Sequence, residues 1–242
     1  MTLHRLSPAP SESYDLTQET QRRAFLASLT PPTAVWTRAV MVTNSAGATR
    51  GGNGTSGSLS AGEDRAVLRL LRGLSDAVVV GAGTLHAERV PVPADKTLVI
   101  LSHTGVIAAE NIIPSTSGYG DILVLTGTQG HSVVEQTLRD VPHRVALIPP
   151  GASAQDLAAL IRHEVGGGSL LIEGGQKVWQ HFQPLCDDLW LAVTPPPLSA
   201  REGRPLWWPL PPSSTPAPRI YTDEARMLYY HHHALRGAPP ES

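Results

Sequence analysis

The chain has 242 residues, 41% of them hydrophobic, enough for a real core in one large α/β domain or two small ones. Its formal net charge of −2 leaves no electrostatic footprint for nucleic acid or an anionic membrane surface, so neither is an expected partner. A single cysteine, Cys186, excludes an internal disulfide and reads as a small buried hydrophobe in a reducing compartment.

The first segment, Met1 to Tyr14, is rich in Ser and Pro, lacks the apolar stretch of a secretory signal, and reads as a loose tail. No apolar run approaches the roughly 20 residues that span a bilayer, and a soluble, cytoplasmic protein is expected. A helix is predicted from about Leu16 to Leu29, with Asp15 as its cap, Gln18 in the third position, and Phe25, Leu26 and Leu29 on one face. Pro31-Pro32 ends it. Residues 1–30 are therefore read as an N-terminal tail and helix, 31–235 as the main α/β domain, and 236–242 as a loose C-terminus.

A first strand is predicted from Val35 to Val42, followed by a stretch rich in Gly, Ser, Thr and Asn from Asn44 to Ser60. That stretch is too long for an ordinary connection, and residues 47–62 are expected to form a flap that orders when ligand arrives. Ser60-Ala61-Gly62-Glu63 matches a capping box, with Val67, Leu68, Leu71 and Leu74 at helical spacing behind it. Apolar runs then follow at Ala77–Val80, Leu98–Leu101, Ile122–Leu125, Val145–Ile148 and Leu170–Ile172. Helical patterns lie between them at about 131–139 and 154–163, the latter with Ser153 and Asp156 as cap and third-position partner. Continuous rather than alternating apolar strands, interleaved with helices, predict an α/β fold with a mainly parallel sheet covered on both faces. Leu189 to Val193 reads as a further strand, followed by a Pro/Trp-rich connection and a hairpin of Arg219–Tyr221 with Met227–His231. The tryptophan-bearing strand and the pair Trp207-Trp208 suggest a self-interface.

Two strand ends carry glycine and point to chemistry. Leu170-Leu171-Ile172 runs into Glu173-Gly174-Gly175-Gln176, ahead of a helical pattern marked by Val178, Trp179 and Phe182. Ala77-Val78-Val79-Val80 runs into Gly81-Ala82-Gly83-Thr84. In open α/β sheets, ligands bind past the carboxyl ends of strands, where helix N-termini offer unpaired amides to anions. Two such exits predict a cofactor site that reads phosphates through backbone N–H groups. The upstream turn lacks the third glycine of a dinucleotide fingerprint and the Gly-Lys-Ser/Thr of a P-loop. His231-His232-His233 is not a metal site, because neighbouring strand residues face opposite ways. Gly166-Gly167-Gly168 lies at the entering end of a strand and serves its turn.

The order Met41-Val42-Thr43-Asn44-Ser45-Ala46-Gly47, Ser56-Gly57-Ser58-Leu59-Ser60, Glu63-Asp64-Arg65 and Leu71-Arg72-Gly73-Leu74-Ser75-Asp76-Ala77-Val78-Val79-Val80-Gly81-Ala82-Gly83-Thr84, with Ala87-Glu88 after it, resembles the pyrimidine reductases of riboflavin biosynthesis. Leu170-Leu171-Ile172-Glu173-Gly174-Gly175 and Cys186-Asp187-Asp188-Leu189-Trp190-Leu191-Ala192-Val193-Thr194-Pro195 resemble the closing segments of that family, and the likeness spans roughly 35–235. In the bifunctional deaminase-reductase this is the C-terminal domain. The resemblance implies a dihydrofolate-reductase-like fold, a mostly parallel central sheet with helices on both faces and an antiparallel C-terminal hairpin. It implies a homodimer that uses NADPH, without metal, to reduce the ribosylamino carbon of a 5-amino-6-(5-phosphoribosylamino)uracil-type substrate. With one cysteine and no zinc-deaminase signature, only the reductase half is represented.

Carried over by position, the resemblance puts Thr43, Ser58, Gly81, Gly83, Thr84 and Glu88 against the cofactor. Gly174, Gly175, Gln176, Lys177 and Val178 would cradle its phosphates. Ser56, Arg72 and Glu173 would face the substrate, with Glu173 as the catalytic carboxylate. A strand-end carboxylate can accept from sugar or ring donors, and a guanidinium can hold a phosphate by two bonds. Two departures stand out. Ala46 replaces an aspartate usual in the family, and Arg89-Val90-Pro91-Val92-Pro93 lacks its phosphate-binding continuation. They leave as alternatives a nucleotide-binding homologue without turnover and a dihydrofolate-type reductase.

Overall fold

The computed structural model describes residues 2–7, 10–44, 47–52, 54–60, 62–115, 120–194, 219–223 and 228–233. In chain order the elements are β1 (Thr2–Ser7), β2 (Glu12–Asp15), α1 (Glu19–Leu29), β3 (Trp36–Asn44), α2 (Glu63–Gly73), β4 (Ala77–Gly81), α3 (Ala82–Ala87), β5 (Val90–Pro91), β6 (Thr97–Leu101), β7 (Ile112–Ile113), β8 (Ile122–Thr126), α4 (His131–Thr137), β9 (Arg144–Leu147), α5 (Ala154–Val165), β10 (Ser169–Ile172), α6 (Gln176–Phe182), β11 (Asp188–Thr194), β12 (Arg219–Thr222) and β13 (Leu228–His233). The chain divides into two units. One comprises Met1–Pro32, Arg38–Leu71 and Cys186–Ser242; the other comprises Thr33–Thr37 and Arg72–Leu185.

The second unit holds a parallel sheet in the order β10, β4, β6, β8, β9. Every residue of β4 and β8 is buried, on both sides of the pleat, as expected of strands with helices on both faces. Leu157, Ala158 and Ile161 of α5 and Trp179 and Phe182 of α6 are buried in the same unit. The α5 cap is the one expected. Ser153 Oγ accepts from Asp156 N–H at 3.2 Å, and the Asp156 carboxylate accepts from Ser153 N–H at 2.8 Å. Gly166, at φ 69°, closes the helix in the left-handed conformation that glycine adopts without strain. Gly168 lies too close to the Ala34 carbonyl for a Cβ, which would come within 2.3 Å, so the glycine run serves this turn.

The first unit pairs β2, β1, β12, β13 and β11 in antiparallel fashion and adds β3 parallel to β11. The C-terminal hairpin of β12 and β13 is therefore present, in the register Arg219↔His231. Phe25 of α1 packs edge-on against Trp190 and Tyr221, with ring centres 6.0 and 5.8 Å apart. Arg38 and Asp188 are 3% and 0% exposed and form a two-bonded ion pair, at 2.7 and 2.6 Å. The same guanidinium donates to the Leu29 carbonyl at the end of α1, at 2.7 Å.

Four expectations change. The N-terminal segment expected as a loose tail instead supplies two strands: β1 pairs with β2, Leu3 opposite Tyr14, and Leu3 is fully buried. The α1 helix starts at Glu19, because the Asp15 carboxylate is taken by the Thr17 N–H and hydroxyl in a preceding turn. Ser60 closes no box with Glu63; its hydroxyl donates to the Asp64 carboxylate. The strand Leu189–Val193 presents little apolar surface for a self-interface, since residues 189–192 are buried. Trp207-Trp208 and Ala46 lie outside the described residues.

Candidate active site at two neighbouring strand ends

The two glycine-bearing exits are neighbours. Parallel pairing sets Leu170, Leu171 and Ile172 against Ala77, Val78 and Val79, and Glu173 N–H continues the ladder to the Val79 carbonyl at 2.9 Å. Beyond this point β4 turns into α3 through Gly81, and β10 turns into α6 through Gly174 and Gly175. Val178, in the first turn of α6, packs onto both turns. A Cβ on Gly81 would lie 2.9 Å from its Cγ2, and one on Gly174 would lie 2.3 Å from its Cβ. These glycines let a helix seat directly on the strand ends. Gly175 is different. It is exposed, extended at φ −62° and ψ 178°, and a Cβ there would meet only the Thr84 hydroxyl, at 3.9 Å.

Thr84 and Gly175 are thus brought together as the sequence suggested. The first helical bond of α6 runs from Trp179 N–H to the Gly175 carbonyl at 3.1 Å, so the amides of Gln176, Lys177 and Val178 precede the ladder. Gly83, Gln176 and Lys177 are exposed, and Glu88 and Val178 half-buried. Glu88 N–H closes α3 onto the Thr84 carbonyl at 2.9 Å.

Arg72 reaches Glu173 from the last turn of α2. Its Nε donates to Oε1 at 2.7 Å and its Nη2 to Oε2 at 2.5 Å, with the side chains 16% and 9% exposed. Burial pulls the Arg72 pKa down, but the hydrogen bonds and charge of Glu173 outweigh it and the net direction is up. The sequence placed both residues in the site but gave no sign that they bind each other. An arginine closing one helix and a carboxylate ending a strand 101 residues later carry no local signature of a pair.

The remaining candidates, Thr43, Ser56 and Ser58, belong to the other unit. Thr43 is fully buried near the end of β3, and its hydroxyl has no hydrogen-bond partner among the described residues. Ser56–Ser58 form a short 3-10 turn, in which Ser58 Oγ donates to the Thr55 carbonyl at 3.1 Å. Arg65 holds this turn through the Gly57 carbonyl at 3.0 Å. Among the described residues no three His, Cys, Asp or Glu side chains are grouped to hold a metal ion, and no helix is long and apolar enough to cross a membrane. A cleft of about 410 Å³ lined by Asp76, Lys96, Thr97, Asp121 and Gly166 sits at the entering ends of β4 and β6, the wrong end for a ligand of a parallel sheet.

No protein-family model matches the sequence, and no curated protein matches it. Solved structures do match the fold. The pyrimidine reductase-like protein of Corynebacterium diphtheriae superimposes with a TM-score of 0.65 at 20% identity, over 88% of this chain and 98% of that one. The riboflavin biosynthesis reductase Rib7 of Saccharomyces gives 0.60 at 14% identity, over 86% and 94%. The bifunctional deaminase/reductase of Thermotoga maritima gives 0.55 at 16% identity; the match covers 83% of this chain and 57% of that larger protein. The chain therefore has the α/β fold of the pyrimidine reductases, as its sequence led one to expect.

Proposed function

We propose that the protein is an NADPH-dependent reductase of a 5-amino-6-(5-phosphoribosylamino)uracil-type substrate, acting at the ribosylamino carbon. The observation that carries this reading is the approach of Thr84 to Gly175, which joins two glycine-bearing strand exits at one place. The likeness in fold to reductases of riboflavin biosynthesis supports it. The residues present suit the cofactor. Gly83 and Gly175 are exposed, and a Cβ at Gly83 would meet nothing within 4 Å, so neither glycine is required for packing.

When bound, the nicotinamide supplies the hydride. In this reading Gly174 through Val178 hold the phosphates, and Thr43, Ser58, Gly81, Gly83, Thr84 and Glu88 border the rest of the cofactor. Ser56, Arg72 and Glu173 face the substrate, Glu173 as an acceptor for sugar or ring donors. The glycine-rich segment 47–62 orders when ligand arrives. The enzyme works as a cytoplasmic homodimer.

The test is to mix purified protein, NADPH and the ribosylaminopyrimidine and follow the absorbance of the reduced nicotinamide. Turnover that disappears in a folded Glu173→Ala variant is expected. Failure to bind NADPH at millimolar concentration would remove the proposal. A second reading, nucleotide binding without turnover, is favoured by Ala46, where the resembled family has an acid. It predicts that NADPH raises the unfolding temperature while no substrate consumes it.

A further inference from the structure

We propose that Arg72 is a positioning residue, which fixes the Glu173 carboxylate as an acceptor for a hydrogen-bond donor on the substrate and does not itself hold the substrate's phosphate. The proposal rests on the reductase reading for the identity of the substrate; the pairing of the two side chains stands apart from it.

A guanidinium recognises a phosphate best by presenting two parallel N–H groups along one edge. In Arg72 the Nε–Nη2 edge is filled: one bond goes to each Glu173 oxygen, at 2.7 and 2.5 Å. The pair is largely withdrawn from water, at 16% and 9% side-chain exposure, so its mutual attraction is screened little. A phosphate arriving here must either displace a carboxylate of like charge or bind beside it, and both are opposed by repulsion in a partly desolvated place. A neutral donor meets no such opposition. Each carboxylate oxygen keeps acceptor capacity beyond the bond to Arg72.

The carboxylate is fixed from both ends. Its main chain is the last rung of the β10–β4 ladder, Glu173 N–H to the Val79 carbonyl at 2.9 Å. The following Gly174 is pressed against Val178, leaving no room for a Cβ. Arg72 then sets the plane of the side chain. An acceptor so constrained selects an O–H or N–H group of the substrate by position, as expected where precise orientation contributes to the rate.

The test compares two compounds, the ribosylaminopyrimidine with and without its 5′-phosphate, in wild type and Arg72→Ala. A positioning role predicts that Arg72→Ala lowers kcat/KM for both by the same factor, within about threefold. It also predicts that millimolar methylguanidinium restores turnover, which repair of a folding defect would not. A loss about tenfold or more greater for the phosphorylated compound assigns Arg72 to the phosphate and overturns the proposal. A second measurement needs neither turnover nor a folded variant. In wild-type protein, the nitrogen-resolved NMR signal of the Arg72 Nε–H is expected to exchange slowly and to stay in place as inorganic phosphate, which has no sugar hydroxyl to offer Glu173, is added. A saturable shift of that signal by inorganic phosphate overturns the proposal. Lack of turnover of both compounds with NADPH bound counts against the reductase reading alone, and the NMR result still decides the role of Arg72.

Discussion

Val178 occupies the space that a side chain on Gly174 would need: a Cβ built there would lie 2.3 Å from Val178 Cβ and 2.5 Å from its Cγ1. Gly81 meets the same residue less severely, 2.9 Å from Cγ2. Both Gly81→Ala and Gly174→Ala are expected to destabilise by about 1–3 kcal/mol through overpacking. Their response to a second change differs. Val178→Ala removes the Cγ2 that a side chain at position 81 meets and relieves Gly81→Ala. It leaves the Cβ–Cβ clash untouched, so Gly174→Ala stays destabilised. Denaturant unfolding of the three single and two double variants checks this, and equal rescue of both would show that α6 simply shifts.

What the sequence made legible was local or periodic. The parallel strands of the second unit announce themselves as apolar runs, and the Ser153/Asp156 cap is complete within one turn of chain. The same local grammar misled at Asp15 and Ser60. Each has a better partner, Thr17 and Asp64, that a capping pattern does not rank. The N-terminal strands were missed because their stability comes from afar: Arg5 lies opposite Tyr221, in a strand at the other end of the chain. The site followed the same division. The adjacency of Thr84 and Gly175 follows from neighbouring parallel strands, whereas the Arg72–Glu173 bond depends on side-chain reach from a helix end and has no sequence signature.

The Arg38–Asp188 pair joins β3 to β11 and caps α1 through the Leu29 carbonyl. Removing one partner leaves an uncompensated charge in a place almost without solvent. Asp188→Leu or Arg38→Met is expected to cost about 3–5 kcal/mol, and the double replacement of both less than the sum of the two single losses. Equilibrium unfolding of the three variants checks this. Near-additive losses would mean that the two groups act independently.

Two carboxylates should respond to pH with opposite signs. Burial raises the Asp64 pKa above its ordinary 3.8, the charge of Asp223 adding to the effect and the Ser60 hydroxyl and Arg65 opposing it. The folded state binds this proton more tightly than the unfolded chain, so the contribution is present below 3.8 and lost as pH rises through the folded value. For Asp121 the Arg144 hydrogen bonds, helped by Thr97, hold the pKa below 3.8. Its contribution is present above 3.8 and lost as pH falls through the folded value. At neutral pH, Asp64→Asn should therefore gain stability relative to wild type and Asp121→Asn should lose it, with the second difference vanishing in acid. Thermal unfolding across pH measures both, and a shift of the same sign in the two variants would contradict the assignment.

Gly175 separates the packing role of this turn from its binding role. Its backbone, at φ −62° and ψ 178°, suits any residue, and a new Cβ would touch only the Thr84 hydroxyl at the ordinary distance of 3.9 Å. Gly175→Ala should therefore leave the unfolding midpoint where it is, unlike Gly174→Ala one position earlier. If a phosphate of the cofactor lies against this backbone, the added methyl stands in its way and pushes it off the amides of Gln176 and Lys177. The expected loss is roughly tenfold in NADPH affinity, about 1.4 kcal/mol, measured by calorimetric titration of folded protein. Wild-type affinity in Gly175→Ala would place the phosphates elsewhere and leave Thr84 and Gly175 as neighbours without a shared ligand.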